Sequence, residues 1–276
     1  MRRILNLSTL SMLCFALSMP VAAQQTNTAL LGMQTENEAR AWQAVGRLDM
    51  ENFGFCTATL ITSDTILTAA HCVFDKKTGK PVPPERMTFR AGLRNGTAVA
   101  KRVVTQVEAH PGYDPFRETD IENIRHDVAL LRLAQPITTA DVNPFVIDDR
   151  RLSGGAVSVV SYGRDREALP SRQDVCQVKD IYEEVILLSC DTTFGSSGAP
   201  VLRRVNGHSQ MVSIIAGVGT YQGEQVSYGM ALPDLVAELS RQIWVNKPRP
   251  VARINRVQAG SGLPGTSGGG AKFIRP

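Results

Sequence analysis

An all-β fold, a barrel or sandwich carrying one late helix, is what this sequence predicts, and three observations predict it. Between residues 53 and 232 the chain is a series of short apolar runs broken by turn signals, the spacing of paired strands and not of strands alternating with helices. Asn95-Gly96 and Asn206-Gly207 each sit between two such runs, where a hairpin turn needs residues that accept positive φ. A convincing helical period of apolar residues comes only after Pro233.

The elements follow in chain order. Strands are predicted over residues 55–61, 65–67, 87–91, 98–107, 128–133, 156–162, 199–204 and 211–218. Asn95-Gly96-Thr97 also spells a glycosylation sequon, but the flanking runs favour the hairpin. The helix covers residues 233–244, with Leu235, Leu239 and Ile243 four apart on one face, which packs it across the back of the barrel.

Composition limits the function classes. With 276 residues, 43% hydrophobic and 20% charged, the chain buries a sizeable core and is neither a disordered nor a collagen-like polymer. Four histidines and five cysteines without a Cys-x-x-Cys pair argue against a zinc finger or a thioredoxin-like motif, so neither metal nor cofactor is expected. Residues 1–23 read as an export signal: Arg2 and Arg3 precede an apolar stretch ending in Val21-Ala22-Ala23, with cleavage expected after Ala23 and residues 24–43 left as an N-terminal extension or propeptide. Cys14 leaves with the signal, and the remaining even number of cysteines makes disulfides the default in a secreted or periplasmic protein.

The net charge of +4 is unevenly spread. Residues 245–276 carry six basic residues and no acid, and the signal carries two more, which leaves residues 24–244 at −4. Nucleic acid is therefore not an expected partner of the folded part. Residues 246–276, basic and rich in Gly and Pro, read as a disordered tail suited to contact with anionic envelope surfaces. The oligomeric state stays open.

Three separated segments carry chemistry: Thr68-Ala69-Ala70-His71-Cys72, His126-Asp127-Val128-Ala129-Leu130-Leu131 and Gly195-Ser196-Ser197-Gly198-Ala199-Pro200. A serine hydroxyl is a poor nucleophile until a base takes its proton, and an imidazole does so only when its tautomer is fixed by an acceptor on the other nitrogen. Ser197, His71 and Asp127 supply nucleophile, base and orienting carboxylate. Gly195 and Gly198 let the backbone bend so that the amides of Gly195 and Ser197 face one oxyanion. Read singly, each of the three residues is equally a core or loop residue; His110, His126 and His208 are read as structural.

These segments, in the order His, Asp, Ser, together with His110-Pro111-Gly112-Tyr113, resemble those of the trypsin-like (chymotrypsin-fold) serine proteases over roughly residues 44–245. The resemblance implies two six-stranded antiparallel β-barrels with a C-terminal α-helix, a triad in the cleft between the barrels, and peptide-bond hydrolysis through an acyl-enzyme. It also selects, among three possible connectivities, the disulfides Cys56–Cys72 and Cys176–Cys190. Substrates would be proteins or peptides. A catalytically silent protease-fold binding protein or envelope adaptor is the alternative.

Departures from the family pattern matter. Many members carry an aspartate before the serine, which pairs with a new amino terminus after activation; here that position is Ser196, and Ala44-Val45-Gly46-Arg47 stands where the terminus would be. The segment Cys190-Asp191-Thr192-Thr193-Phe194-Gly195 instead looks like that of secreted bacterial glutamyl endopeptidases, while a cut near Arg40-Ala41 stays open. The resemblance puts Asp191 at the base of the specificity pocket, implying cleavage after Lys or Arg, with Gly217 and Gly219 as an open wall and Thr220 on a substrate-pairing edge. The rival reading of Asp191 is a structural hydrogen-bond acceptor. No histidine stands in Ala216-Gly217-Val218-Gly219, which argues against glutamate specificity.

Overall fold

The structure, a computed structural model, describes residues 26–117 and 119–247. The predicted signal and all of the basic tail beyond Lys247 lie outside the described residues. Strand β1 (Leu30–Gly32) and the one-turn helix α1 (Glu36–Ala39) lead into β2 (Val45–Met50), β3 (Gly54–Leu60), β4 (Thr65–Thr68), β5 (Met87–Ala91) and β6 (Ala100–Ala109). A second short helix, α2 (Ile121–Arg125), precedes β7 (Ala129–Leu133). The rest of the chain forms β8 (Ala156–Ser161), β9 (Ser171–Tyr182), β10 (Val185–Leu188), β11 (Pro200–Val205), β12 (His208–Tyr221), β13 (Glu224–Met230) and α3 (Pro233–Val245).

Strands β2 to β7 close into a barrel in the order β2-β3-β4-β7-β6-β5, all neighbours antiparallel. Its interior is filled by Leu48, Leu60, Ile66, Phe89 and Leu131, all fully buried. Burying each such side chain contributes about 1.5–3 kcal/mol, and closure leaves the barrel no open edge. The second sheet runs β9-β10-β13-β12-β11-β8, and β8 pairs back onto β9, so these six strands also form a ring. This is the two-barrel, all-β architecture expected from the sequence.

Both Asn-Gly pairs form turns: Arg94 bridges Thr97 around Asn95-Gly96, and Val205 pairs with His208 around Asn206-Gly207. Helix α3 packs on β6 and β7 through buried Val236, Leu239 and Ile243, with Leu235 half-buried at the edge of the stripe. Gln106 of β6 caps this contact by donating to Ile243 O (3.0 Å).

Of the strands absent from the sequence prediction, β9 and β2 carry polar or charged residues that interrupt the apolar pattern, whereas β10 is apolar but only four residues long. In β9, Ser171 and Gln173 are buried, which breaks the apolar alternation that marks a strand. In β2, Arg47 and Asp49 alternate with buried Gly46, Leu48 and Met50, and the two charges pair with each other on the outer side. Residues 26–43 are packed into the fold: β1 adds to β9, Met33 and Ala39 enter the core, and Thr35 and Glu38 cap α1 reciprocally.

Candidate active site

The site is built where the barrels meet. After β4 the chain turns through a short 3₁₀ segment, Ala70–Val73, which presents His71 while Cys72 is tied by a disulfide to Cys56 on β3. Asp127 stands in the turn between α2 and β7, its backbone amide donating to Ile124 O (3.1 Å). The carboxylate is 5% exposed and grips His71 twice: Oδ1 accepts the His71 backbone amide (2.8 Å) and Oδ2 lies 2.7 Å from Nδ1. An ionised carboxylate only accepts, so this contact favours, for a neutral ring, the tautomer with its proton on Nδ1 and a lone pair on Nε2.

Ser197 lies in the loop before β11. Gly195 (φ +91°) and Gly198 (φ +77°) hold backbone conformations that other residues adopt only with strain. Space excludes a side chain as well: a Cβ at Gly198 would stand 2.2 Å from Thr68 Oγ1, and one at Gly195 2.3 Å from the Phe55 ring. Thr57 of β3 fastens this loop to the first barrel, donating its amide to Ser197 O (2.9 Å) and its hydroxyl to Gly195 O (2.8 Å). Among the described residues, neither the Gly195 nor the Ser197 amide has a protein acceptor.

His71, Asp127 and Ser197 line one cavity of about 630 Å³, with Thr192, Ile215 and Gly217 from the second barrel on its other wall. Tyr113 stands in the same wall beside Phe74; burial, followed by the charge of Asp127, pushes its hydroxyl above the ordinary phenol range and keeps it neutral. The second disulfide, Cys176–Cys190, joins β9 to the segment that enters the wall, where Thr192 and Ser227 share a hydrogen bond (2.6 Å) and Ser227 donates to Cys190 O (2.7 Å).

The cavity does not include every residue assigned to it from sequence. Gly217 lines it, whereas Asp191, Gly219 and Thr220 do not. Asp191 is turned toward β9: Gln173 donates to its carboxylate (3.1 Å) and accepts its amide (2.7 Å), so it stands as the hydrogen-bond acceptor of the rival reading and not as the floor of the pocket. A Cβ at Gly219 would meet the Tyr228 hydroxyl at 1.9 Å, so that glycine admits a tyrosine and not a substrate. His110 and His126 stack on each other (ring centroids 4.5 Å apart), and His208 opens β12.

Sequence reasoning missed Thr57, Tyr113 as a wall residue, and Arg166. Thr57 had one signal, its place next to Cys56, whereas Arg166 gains its surroundings only through the folding of a loop.

Residues 56–209, more than half of the chain, match the family model described as trypsin-like peptidase domain. The chain belongs to this trypsin-like peptidase family. A curated relative of this peptidase, CLIP domain-containing serine protease B15 of Anopheles gambiae, is 26% identical over 241 residues, covering 74% of this chain and 66% of its own length. Clotting factor C of Tachypleus tridentatus is 30% identical over 146 residues, 47% of this chain and 14% of the relative; human serine protease 23 is 27% identical over 191 residues, 62% and 48%. The chain thus spans less than two thirds of the length of these relatives. Among solved structures, a Glu endopeptidase in complex with MPD superposes with a TM-score of 0.63 at 18% identity, covering 77% of this chain and 96% of that one, which establishes the shared fold.

Proposed function

We propose that this trypsin-like peptidase is an exported serine endopeptidase that cuts peptide bonds through an acyl-enzyme, with Ser197 as nucleophile, His71 as general base and then acid, and Asp127 as orienter. The observation that carries the reading is the double contact of Asp127 with His71 at 2.8 and 2.7 Å, on the wall that Ser197 shares. With Nδ1–H engaged, Nε2 accepts the Ser197 proton as Oγ adds to the substrate carbonyl, and returns it to the leaving amine when the C–N bond breaks. Water then repeats the cycle on the ester. The amides of Gly195 and Ser197, both without a protein acceptor among the described residues, supply the oxyanion hole, where losing one donor costs about 3–4 kcal/mol. This chemistry calls for no cofactor.

Export is supported by the two disulfides, which persist in oxidising compartments. Protein or peptide substrates would enter the cleft with a neutral side chain before the scissile bond. Asp127 is the only carboxylate among the described lining residues, and it is occupied by His71, so no free carboxylate there pairs with Lys or Arg; Arg117 on the same lining is paired with Asp120 (3.6 Å), which leaves the exposed Lys76 to disfavour a further cation. Digestion of a diverse peptide mixture by the chain from Gln24 onward, read by mass spectrometry beside Ser197→Ala, tests this. Cuts after neutral residues, absent from the control, are expected. Cuts confined to Lys and Arg would overturn the specificity, and products identical to those of the control would overturn the enzyme.

A further inference from the structure

Behind the serine loop lies a cation whose hydrogen-bond partners are all neutral. Arg166, on the loop between β8 and β9, folds its guanidinium back into the second barrel: Nη1 donates to Ser161 O (2.6 Å), and Nη2 donates to Ser161 Oγ (3.0 Å) and to Ser196 Oγ (2.9 Å). All these acceptors are neutral. No carboxylate among the described residues lies within ion-pair distance of Arg166, although the chain forms such pairs at many other arginines. Desolvation outweighs the more distant charge of Glu167 and lowers its pKa to about 10, below the ordinary arginine range. A half-buried cation held only by neutral groups is costly, and folding retains it here in contact with the residue that precedes the proposed nucleophile.

The surroundings show what it holds. Ser196 is fully buried, and its hydroxyl also accepts the Thr193 amide (3.2 Å), so one oxygen joins Arg166 to the turn that contains Gly195 and Ser197. The Arg166 segment approaches that turn a second time, where the Arg164 amide donates to Phe194 O (2.8 Å). Gly163 permits both contacts: a Cβ there would overlap the Arg166 guanidinium at 2.6 Å, and the Gly163 Cα lies 3.2 Å from where a Gly195 Cβ would be.

We propose that Arg166 is a positioning residue of the peptidase reaction: through Ser196 its guanidinium fixes the turn from Gly195 to Ser197, and with it the amides that receive the oxyanion. The inference rests on the proposed catalytic reading of Ser197. It places this support inside the folded chain, in a loop far in sequence from the amino terminus. The bond to Ser196 is directional, so lysine, a point charge without the planar fork, replaces it only in part.

The test measures labelling of Ser197 by a fluorophosphonate probe, resolving the binding constant from the maximal rate, in the full chain from Gln24 and in Arg166→Met, Arg166→Lys and Ser196→Ala. Loss of a positioned oxyanion donor lowers maximal rates by about 100-fold, so Arg166→Met is expected to slow the maximal rate by at least about tenfold with little change in probe binding. Arg166→Lys should fall between, Ser196→Ala should act in the same direction, and the double variant should fall short of the product of the two effects. An Arg166 that is merely structural lowers the unfolding temperature and leaves the rate below it unchanged; that result, or a Ser196→Ala that labels like wild type, overturns the proposal. Should Arg166→Met fail to fold, Ser196→Ala and Arg166→Lys decide alone. A wild-type chain that takes no label refutes the catalytic reading itself, so the two failures are distinct.

Discussion

Asp127 makes two contacts with His71, and an asparagine in its place would keep the size of the side chain while reversing what one of them selects. An amide can offer a donor to Nδ1 and stabilise the tautomer whose Nε2 carries the proton, the wrong one for a base. Asp127→Asn is therefore expected to lower kcat by about 10⁴ on a peptide substrate with KM changed little, which steady-state kinetics beside a thermal melt would measure. At Asp148 the charge serves stability instead. This carboxylate is 2% exposed, and hydrogen bonds from Arg150 outweigh its desolvation and, joined by Arg203, hold its pKa far below the ordinary carboxylate range. The folded state thus keeps it ionised where the unfolded chain protonates near about 4, so its contribution is whole above that pH and is lost as pH falls below it. Asp148→Asn leaves two arginines, one of them largely exposed, without their partner and is expected to cost about 2 kcal/mol near neutral pH, with the gap to wild type closing as the medium becomes strongly acidic. Urea unfolding at both extremes would check the sign; a gap that widens in acid contradicts it.

Individual elements differ in how far the residues announced them. Strands β3, β4 and β7 were legible because they are short, almost continuously buried runs bounded by turn residues, and helix α3 because its apolar residues recur four apart. Strand β9 was not, since its buried Gln173 is satisfied by Thr28 and Asp191 far along the chain, and a polar residue that finds its partner only after folding looks like a loop residue beforehand. The same reason separates the two parts of the site. His71 and Ser197 stand in short segments that a disulfide and two glycines constrain locally, while the second-barrel wall of the cavity depends on how β9, β12 and β13 lie together, and Asp191, just after β10, is held by Gln173 of β9. The Cys56–Cys72 bridge belongs to this scale. It closes a loop of 16 residues that ends beside His71, and its removal by the paired change Cys56→Ser and Cys72→Ser is expected to cost about 3 kcal/mol. Because the bridge also anchors the turn of His71, activity should fall further than the folded fraction, which labelling measured beside unfolding curves would show.

At the scale of the molecule, the residues ahead of the first barrel are bound to the second one, and this bears on how such a chain becomes active. Asn27 donates to Ser189 O (2.9 Å), Gln173 donates to Thr28 O (2.8 Å), β1 pairs with β9 in register from Leu30 opposite Gln173, and Met33 is buried. Gln173 holds Asp191 from the same position, so the leading segment braces the strand that carries the specificity wall into the serine loop. A segment whose removal activates an enzyme would be expected to block the cleft or to lie on the surface with few contacts; this one contributes a strand, a capped helix and core side chains, and it does not line the cavity. Deleting residues 24–34 should therefore lower the unfolding temperature and lower kcat/KM, with the loss concentrated in KM if the wall loosens while His71 and Ser197 stay in place. A single cut after Arg40, on the 3₁₀ turn between α1 and β2, should leave the segment held by its strand pairing and change activity little. Kinetics and melting curves of the deletion and of the nicked chain separate the alternatives: a rise in activity on either change would mean that the segment restrains the site, and the brace would have to be given up.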